Sequence, residues 1–184
     1  MKRSIQKGSG LVEVIVALLI LSIGVLGFAM LQMRAMDASM DASKRIQAMN
    51  LARDLTERMR ANKIGLTKSI TIEDGETEKL VDAYSNALDG QYSKSSYTAS
   101  CVTEDCTSTE FATEDVNQVL FKAHNVGMKI ALNNCPGAEM QSPRYCVYVS
   151  WADTLPVDGA NLETSCTNNG SFLSNSNCVV LETY

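Results

Sequence analysis

Lys7-Gly8-Ser9-Gly10-Leu11-Val12-Glu13-Val14 opens the stretch on which the reading of this chain turns. From Val14 the sequence runs to Met33 without a charge, about 20 residues, the length a helix needs to cross the hydrocarbon of a bilayer. Lys2, Arg3 and Lys7 stand just before it, and positive residues on one flank hold that flank in the cytoplasm. One carboxylate, Glu13, sits just inside the apolar segment. An ionised group at membrane depth costs about 2.5–3.5 kcal/mol on insertion scales and so needs a partner. Val14 to Met33 offers no cation. A cut after Gly8 would supply one, because the new amine at Ser9 would lie about one helical turn from Glu13, on the same molecule or on a neighbour.

Two plainer readings compete. A secretory signal peptide has an apolar core of only about 7–15 residues and is cut on its far side; Ala29-Met30-Leu31 and Ser22 to Phe28 offer only weak small-residue sites for that cut. A simple transmembrane anchor explains the length but not the Gly8-to-Glu13 spacing.

Lys7-Gly8 followed by Ser9-Gly10-Leu11-Val12-Glu13 resembles the class III signal of type IV pilins and type II secretion pseudopilins. The resemblance implies that a prepilin peptidase cuts between Gly8 and Ser9 on the cytoplasmic side and N-methylates Ser9. Glu13 then stands fifth in the mature chain, and the apolar helix is retained. Ser9 stands where that family usually has phenylalanine, and Gly10 where it usually has threonine. Met30 stands where many major pilins have a kinking proline. Gly24 and Gly27 are the weak points instead, each about 1 kcal/mol worse than alanine in a helix interior, and local loosening there is expected in an assembled filament.

Beyond Met33, apolar residues recur at Leu31, Ala35, Ala38, Ala42, Ile46, Met49, Ala52, Leu55 and Met59. Steps of three and four make one stripe of a helix. No proline or glycine falls between Phe28 and Ile64, and Gly65 is the expected C-terminal stop. The reading is one helix from Gly10 to Asn62, about 80 Å long at 1.5 Å per residue. Its first half lies in lipid, and its second lays the stripe on a soluble domain. Met33, Met36, Met40, Met49 and Met59 read as core filler. Leu51-Ala52-Arg53-Asp54-Leu55-Thr56-Glu57-Arg58-Met59-Arg60-Ala61-Asn62 resembles the helix end of the PilV family, the type IV pilus modification proteins, and Ala17 to Gly24 is similar to that family's anchor.

The chain has 184 residues and a net charge of -5, which suits one domain plus the anchor. Removing Lys2, Arg3 and Lys7 leaves 13 basic against 21 acidic residues, a balance of -8. That argues against a general electrostatic grip on nucleic acid. Cys101, Cys106, Cys135, Cys146, Cys166 and Cys178 all follow the anchor. An even count in an exported region reads as disulfides. Six cysteines allow 15 pairings; the working expectation is the sequential set, 101–106, 135–146 and 166–178. No Cys-x-x-Cys occurs and His124 is the sole histidine, so no metal and no cofactor are expected.

Thr67 to Ser96 is polar, with a short strand at Thr71-Ile72-Glu73 and one or two helical turns between Glu78 and Leu88. Thr107-Ser108-Thr109-Glu110 has capping-box spacing, and Val116, Val119, Leu120 and Ala123 continue that helix to Asn125. Cysteine, polar loop, cysteine, capped helix and the turn Cys135-Pro136-Gly137 again resemble PilV proteins, although Phe121 is the nearest aromatic where their helix usually carries a tryptophan. Arg144 to Trp151 alternates and is rich in β formers, with Tyr145, Val147, Val149 and Trp151 on one face. Cys166 to Ser176 reads as a loop, and Cys178-Val179-Val180-Leu181 as a short closing strand.

The expected fold class is α+β and type IV pilin-like. It has a long N-terminal helix, a transmembrane half and an amphipathic half, packed on a small antiparallel sheet with disulfide-tied loops. The expected segments are a leader at 1–8, a transmembrane and filament-core helix at 9–33, the amphipathic half at 34–64 and a periplasmic or extracellular globular domain at 65–184. The sequence shows no catalytic constellation, no Gly-rich phosphate loop and no G-x-S-x-G, so an enzyme is not expected. The resemblance implies a minor pilin: a single-pass inner-membrane protein with a cytoplasmic N-terminus that passes to the cell-surface pilus. Its implied partners are prepilin peptidase, the inner-membrane assembly platform, other minor pilins and the major pilin. Glu13 would set register against the Ser9 amine of an adjacent subunit. The alternatives are a type II secretion pseudopilin, or a filament-displayed adhesin or DNA-uptake module using the loops at Thr67 to Ser96 and Asn161 to Asn177.

Overall fold

The computed structural model describes residues 10–67, 70–74, 77–102, 105–136, 144–161 and 163–183. The chain divides into two compact units, Met1–Ser43 and Lys44–Tyr184. The long helix α1, Leu11–Ala61, supplies the described part of the first unit and enters the second. In the first unit every large apolar side chain from Leu11 to Met40 is exposed. The helix is unbroken through Gly24 and Gly27, and Ser22 Oγ donates to the Leu19 carbonyl at 2.8 Å, so its hydroxyl is satisfied within the helix.

In the second unit α1 buries Ala48, Leu51, Ala52, Leu55, Thr56 and Met59, again at steps of three and four. The stripe expected from Leu31 onward is therefore buried only from Ala48. Ile46 is 63% exposed, and Met33, Met36 and Met40 are exposed as well. Of the five methionines read as core filler, Met59 is buried and Met49 half-buried. Periodicity says which residues share a face, not how far a covering surface extends along it.

The helix ends at Ala61, and a second short helix, α2, spans Lys63–Thr67. Gly65 thus lies inside α2 and is not the stop expected of it. A Cβ there would fall 2.8 Å from the Ser108 carbonyl oxygen, so glycine is required by close packing. Next come a hairpin, β1 (Ile70–Asp74) and β2 (Thr77–Val81), and α3 (Ala83–Leu88), whose N-cap Asp82 accepts from the Ser85 amide at 2.8 Å. The helix expected from Glu78 is strand up to Val81, while Thr71 to Glu73 lies in β1 as expected.

Helix α4, Ser108–Asn125, opens on a complete capping box between Thr107 and Glu110. It ends where Gly127 adopts φ 68°, the left-handed closure that favours glycine. Strands β3 (Met128–Asn134), β4 (Tyr145–Trp151) and β8 (Cys178–Glu182) form an antiparallel sheet in the order β3-β4-β8. The sequence reading did not foresee β3. A smaller sheet joins β5 (Leu155–Asp158) in parallel to β6 (Ser165–Asn168), which pairs antiparallel with β7 (Ser171–Phe172). The segment read as a loop from Cys166 to Ser176 therefore carries β6 and β7.

The period of two along β4 divides the core. Val147, Val149 and Trp151 join Met128, Ile130 and Leu132 and the buried faces of α1, α3 and α4 in one cluster. Cys146 and Tyr148 point the other way, into a second cluster with Cys135, Cys166 and Cys178. The cysteines pair in chain order, Cys101–Cys106, Cys135–Cys146 and Cys166–Cys178. The result is an α+β fold: a long N-terminal helix, a small antiparallel sheet and three disulfides.

Candidate functional site

Gly8 and Ser9, the expected cleavage pair, lie outside the described residues. Glu13 stands in the first turn of α1, and its amide donates to the Gly10 carbonyl at 2.7 Å. A carboxylate there faces the unpaired N–H groups at the helix start, which favour negative charge. Glu13 is exposed, and the residues after it form a helix long and apolar enough to cross a membrane, none of whose apolar span is buried within the chain. The arrangement is an apolar rod with one acid at its head. In a lipid or protein interior such an acid attracts a cation brought by another group.

A second arrangement sits at the other end of α1 and accounts for Arg58, Met59 and Asn62 in physical terms. Arg58 Nε donates to Asp54 Oδ1 at 2.8 Å and Nη1 to Asp115 Oδ1 at 2.7 Å. Lys122 Nζ donates to Asp54 Oδ2 at 2.7 Å. The Tyr84 hydroxyl donates to Asp115 Oδ2 at 2.9 Å, and Asn62 Nδ2 to the Ser108 carbonyl at 2.7 Å. Met59 fills the core between these polar neighbours. Helices α1, α3 and α4 are thus clamped by charge-assisted bonds, the stronger class.

Burial pushes the Asp54 carboxyl up, but the bonds from Lys122 and Arg58 outweigh it and hold the group below its ordinary value. Burial likewise works against the Arg58 charge, and Asp54 and Asp115 outweigh it, leaving Arg58 raised. Burial, then the Asp115 charge, push the Tyr84 phenol well above its usual range. Sequence reasoning noted Arg58 only as part of the Leu51–Asn62 helix end and missed Asp115. The available signal was a carboxylate in step with the apolar stripe of Ala112, Val116, Val119 and Ala123, where burial requires a partner.

Beside the clamp, Arg58, Ala61, Asn62, Cys106, Ser108, Phe111 and Asp115 line a groove of about 300 Å³. Its charged groups, Arg58 and Asp115, are engaged with each other at 2.7 Å. The preceding loop is fastened to α4. The Tyr97 hydroxyl and Ser100 Oγ both donate to Glu114, and the Glu114 bond drives the Tyr97 phenol up to about 12. The Tyr97 and Phe121 rings lie 6.1 Å apart. Trp151 is buried, with the Arg45 guanidinium 5.8 Å from its ring centre, a cation–π distance. Among the described residues no group of three His, Cys, Asp or Glu side chains is placed to hold a metal.

Residues 3–29 match the family model described as the prokaryotic N-terminal methylation motif. Residues 30–73 match the model described as Tt1218-like, type IV pilin Tt1218. Searches of the curated proteins and of the solved structures return no match. The two matched segments adjoin, and together they take in Glu13, the exposed apolar run and the Asp54–Asn62 helix end. From residue 3 to residue 73, therefore, the chain is similar to type IV pilins and carries the N-terminal methylation motif.

Proposed function

We propose that this chain is a minor pilin of the PilV kind, a structural subunit that joins other minor pilins in a complex priming pilus assembly near the filament tip. The observation that carries the reading is Glu13 in the first turn of an exposed apolar helix, inside a matched N-terminal methylation motif. On this reading residues 1–8 are the leader, and prepilin peptidase cuts after Gly8 and methylates Ser9. Residues 9–33 anchor the chain in the inner membrane with its N-terminus cytoplasmic, then enter the filament core. Residues 34–64 carry the helix into the head, and 65–184 form the exported domain.

During assembly the helix exchanges lipid for a bundle of like helices. There the Glu13 carboxylate meets the Ser9 amine of an adjacent subunit in an apolar setting. Removing one member of such a pair typically costs several kcal/mol, which makes the pair a register device. The same N-terminal features suit a type II secretion pseudopilin. The Leu51–Asn62 helix end and the disulfide-rich head favour the pilus.

The test is made in cells with a working pilus system. The intact mass of the pilus-associated protein is expected to begin at Ser9. Glu13→Ala is expected to keep its folded head and its membrane anchoring, and to fall about tenfold or more in sheared pili. A mature chain beginning elsewhere, or normal incorporation of Glu13→Ala, overturns the reading.

A further inference from the structure

A disulfide opens when a thiolate reaches one of its sulfurs, so access decides which bond exchanges. The three bonds here differ in access. Cys135, Cys146, Cys166 and Cys178 are buried and make up most of the second core cluster. Cys101 and Cys106 are half-buried and belong to neither cluster. Cys106 also lines the groove of about 300 Å³ beside Asn62, Ser108 and Phe111, so a thiol has room to approach it from outside.

The chain on each side of Cys101–Cys106 is fastened to α4 without that bond. Before Cys101, the Tyr97 hydroxyl donates to Glu114, and the Ser100 amide and Oγ donate to the same carboxylate at 3.3 and 3.2 Å. After Cys106, the Thr107 amide and hydroxyl donate to Glu110 Oε2 at 2.8 and 2.9 Å. Glu110 and Glu114 stand one turn apart on one helix. That helix therefore holds the two cysteine Cα atoms, 5.5 Å apart, whether or not their sulfurs are joined. The bond spans a separation of only 5 residues, and a short loop has the least closure entropy to remove. Opening it leaves both core clusters in place, and the two thiols stay neighbours at high effective concentration.

We propose that Cys101–Cys106 is a reversible thiol–disulfide exchange site whose reaction partner is a thiol reductant, while the other two disulfides stay closed. A thiolate of the reductant attacks the Cys106 sulfur from the groove and bonds to it. The Cys101–Cys106 bond breaks, and its electron pair leaves on the Cys101 sulfur, which takes a proton from water. A second thiolate then attacks the reductant's sulfur in the mixed disulfide and displaces Cys106 as a thiolate, which is protonated in turn. The chain has gained two electrons and two protons, and the reductant leaves as its own disulfide. A disulfide oxidant of the same class runs these steps backward. A small thiol and a protein dithiol share this chemistry.

The test uses the full chain in detergent micelles with its three disulfides formed, and reduced glutathione as the probe. Opened thiols are trapped with iodoacetamide and located by peptide mass. Cys101 and Cys106 are expected to open roughly tenfold or more faster than the other four cysteines, with Trp151 fluorescence unchanged. The early glutathione adduct is expected on Cys106, and oxidised glutathione should then restore the 101–106 bond. Glu114→Ala removes the anchor before Cys101 at a helix position that alanine suits. It is expected to slow that closure roughly threefold or more. A protein carrying a C-x-x-C dithiol, matched in thiol concentration, separates the two sources. Faster opening than with glutathione assigns the site to a protein dithiol, and equal or slower opening assigns it to small thiols. The proposal is overturned if all three bonds open at one rate, or if 101–106 opens only with a change in Trp151 emission. An early adduct on Cys101, or closure unaffected by Glu114→Ala, overturns it as well.

Discussion

Asp54 holds two cations at once, one from its own helix and one from α4. Its Oδ1 takes Arg58 and its Oδ2 takes Lys122, at 2.8 and 2.7 Å. Because those bonds outweigh burial and lower the carboxyl in the folded protein, the sign of the pH effect follows by linkage. The stabilisation is fully present above the ordinary carboxylate value of 3.8 and is lost as pH falls through the lowered folded value. The Asp54 side chain is 30% exposed, so solvent screens the pair and its worth is about 1 kcal/mol. Asp54→Asn is expected to lower the melting temperature at pH 7 by roughly 2–5 °C. It should also flatten the loss of stability as pH falls below 3.8 and through the lowered folded value; an acid limb as steep as in the unsubstituted chain would show that Asp54 does not carry it. The Asp54–Arg58 spacing was legible in the sequence, since residues four apart meet on a helix. Asp115 and Tyr84 were not, because their meeting with Arg58 spans 57 and 26 residues and depends on how the helices pack.

At the scale of elements, the capped helix α4 was read correctly, while the local stop signal at Gly65 was not, because Gly65 lies inside α2. Helix α4 begins at Ser108 and ends at Asn125 because Thr107, Glu110 and the apolar step from Val116 to Ala123 all lie within it. The Glu110 amide donates to Thr107 Oγ1 at 3.4 Å, and Glu110 Oε2 accepts from the Thr107 amide at 2.8 Å. Thr107→Ala removes the cap and is expected to destabilise the head by about 1 kcal/mol. Thr107→Ser should recover most of it, and equal stability of alanine and serine variants in thermal melts would show the cap to be idle. Elements whose state is decided by partners were misread. Met128-Lys129-Ile130-Ala131-Leu132-Asn133-Asn134 contains few good strand formers, and it is a strand because all seven residues pair with β4. The expected apolar stripe of α1 fell short for a related reason. Its period was right, but burial begins only at Ala48, where the head supplies a surface. Glu13 and the apolar run were legible because membrane length and an isolated charge are one-dimensional signals.

For the whole molecule, the three disulfides do different work although they pair in the same sequential way. Cys101–Cys106 closes a separation of 5 residues, and both cysteines are half-exposed. Cys166–Cys178 closes a separation of 12, and its cysteines are 0% and 2% exposed. It ties β6 of the small sheet to β8 of the main one, over a second core cluster made largely of cysteine and Tyr148. That cluster is too small to hold the small sheet by burial alone, so the cross-link replaces core there. Loop-closure entropy gives about 2 kcal/mol for the shorter loop and about 3 kcal/mol for the longer. Replacing the buried pair also removes packed sulfur and leaves a void, which adds to its loss. Cys166→Ala/Cys178→Ala is therefore expected to lower the urea midpoint of the head more than Cys101→Ala/Cys106→Ala. Trp151, the single tryptophan and 3% exposed, is the fluorescence probe for both titrations. The Cys101/Cys106 variant should leave the Trp151 environment unchanged before the transition, because its loop precedes α4 and the sheet lies beyond. If the two double variants unfold at the same urea concentration, or in the reverse order, the second cluster is self-sufficient and the cross-link between the sheets is not what holds it.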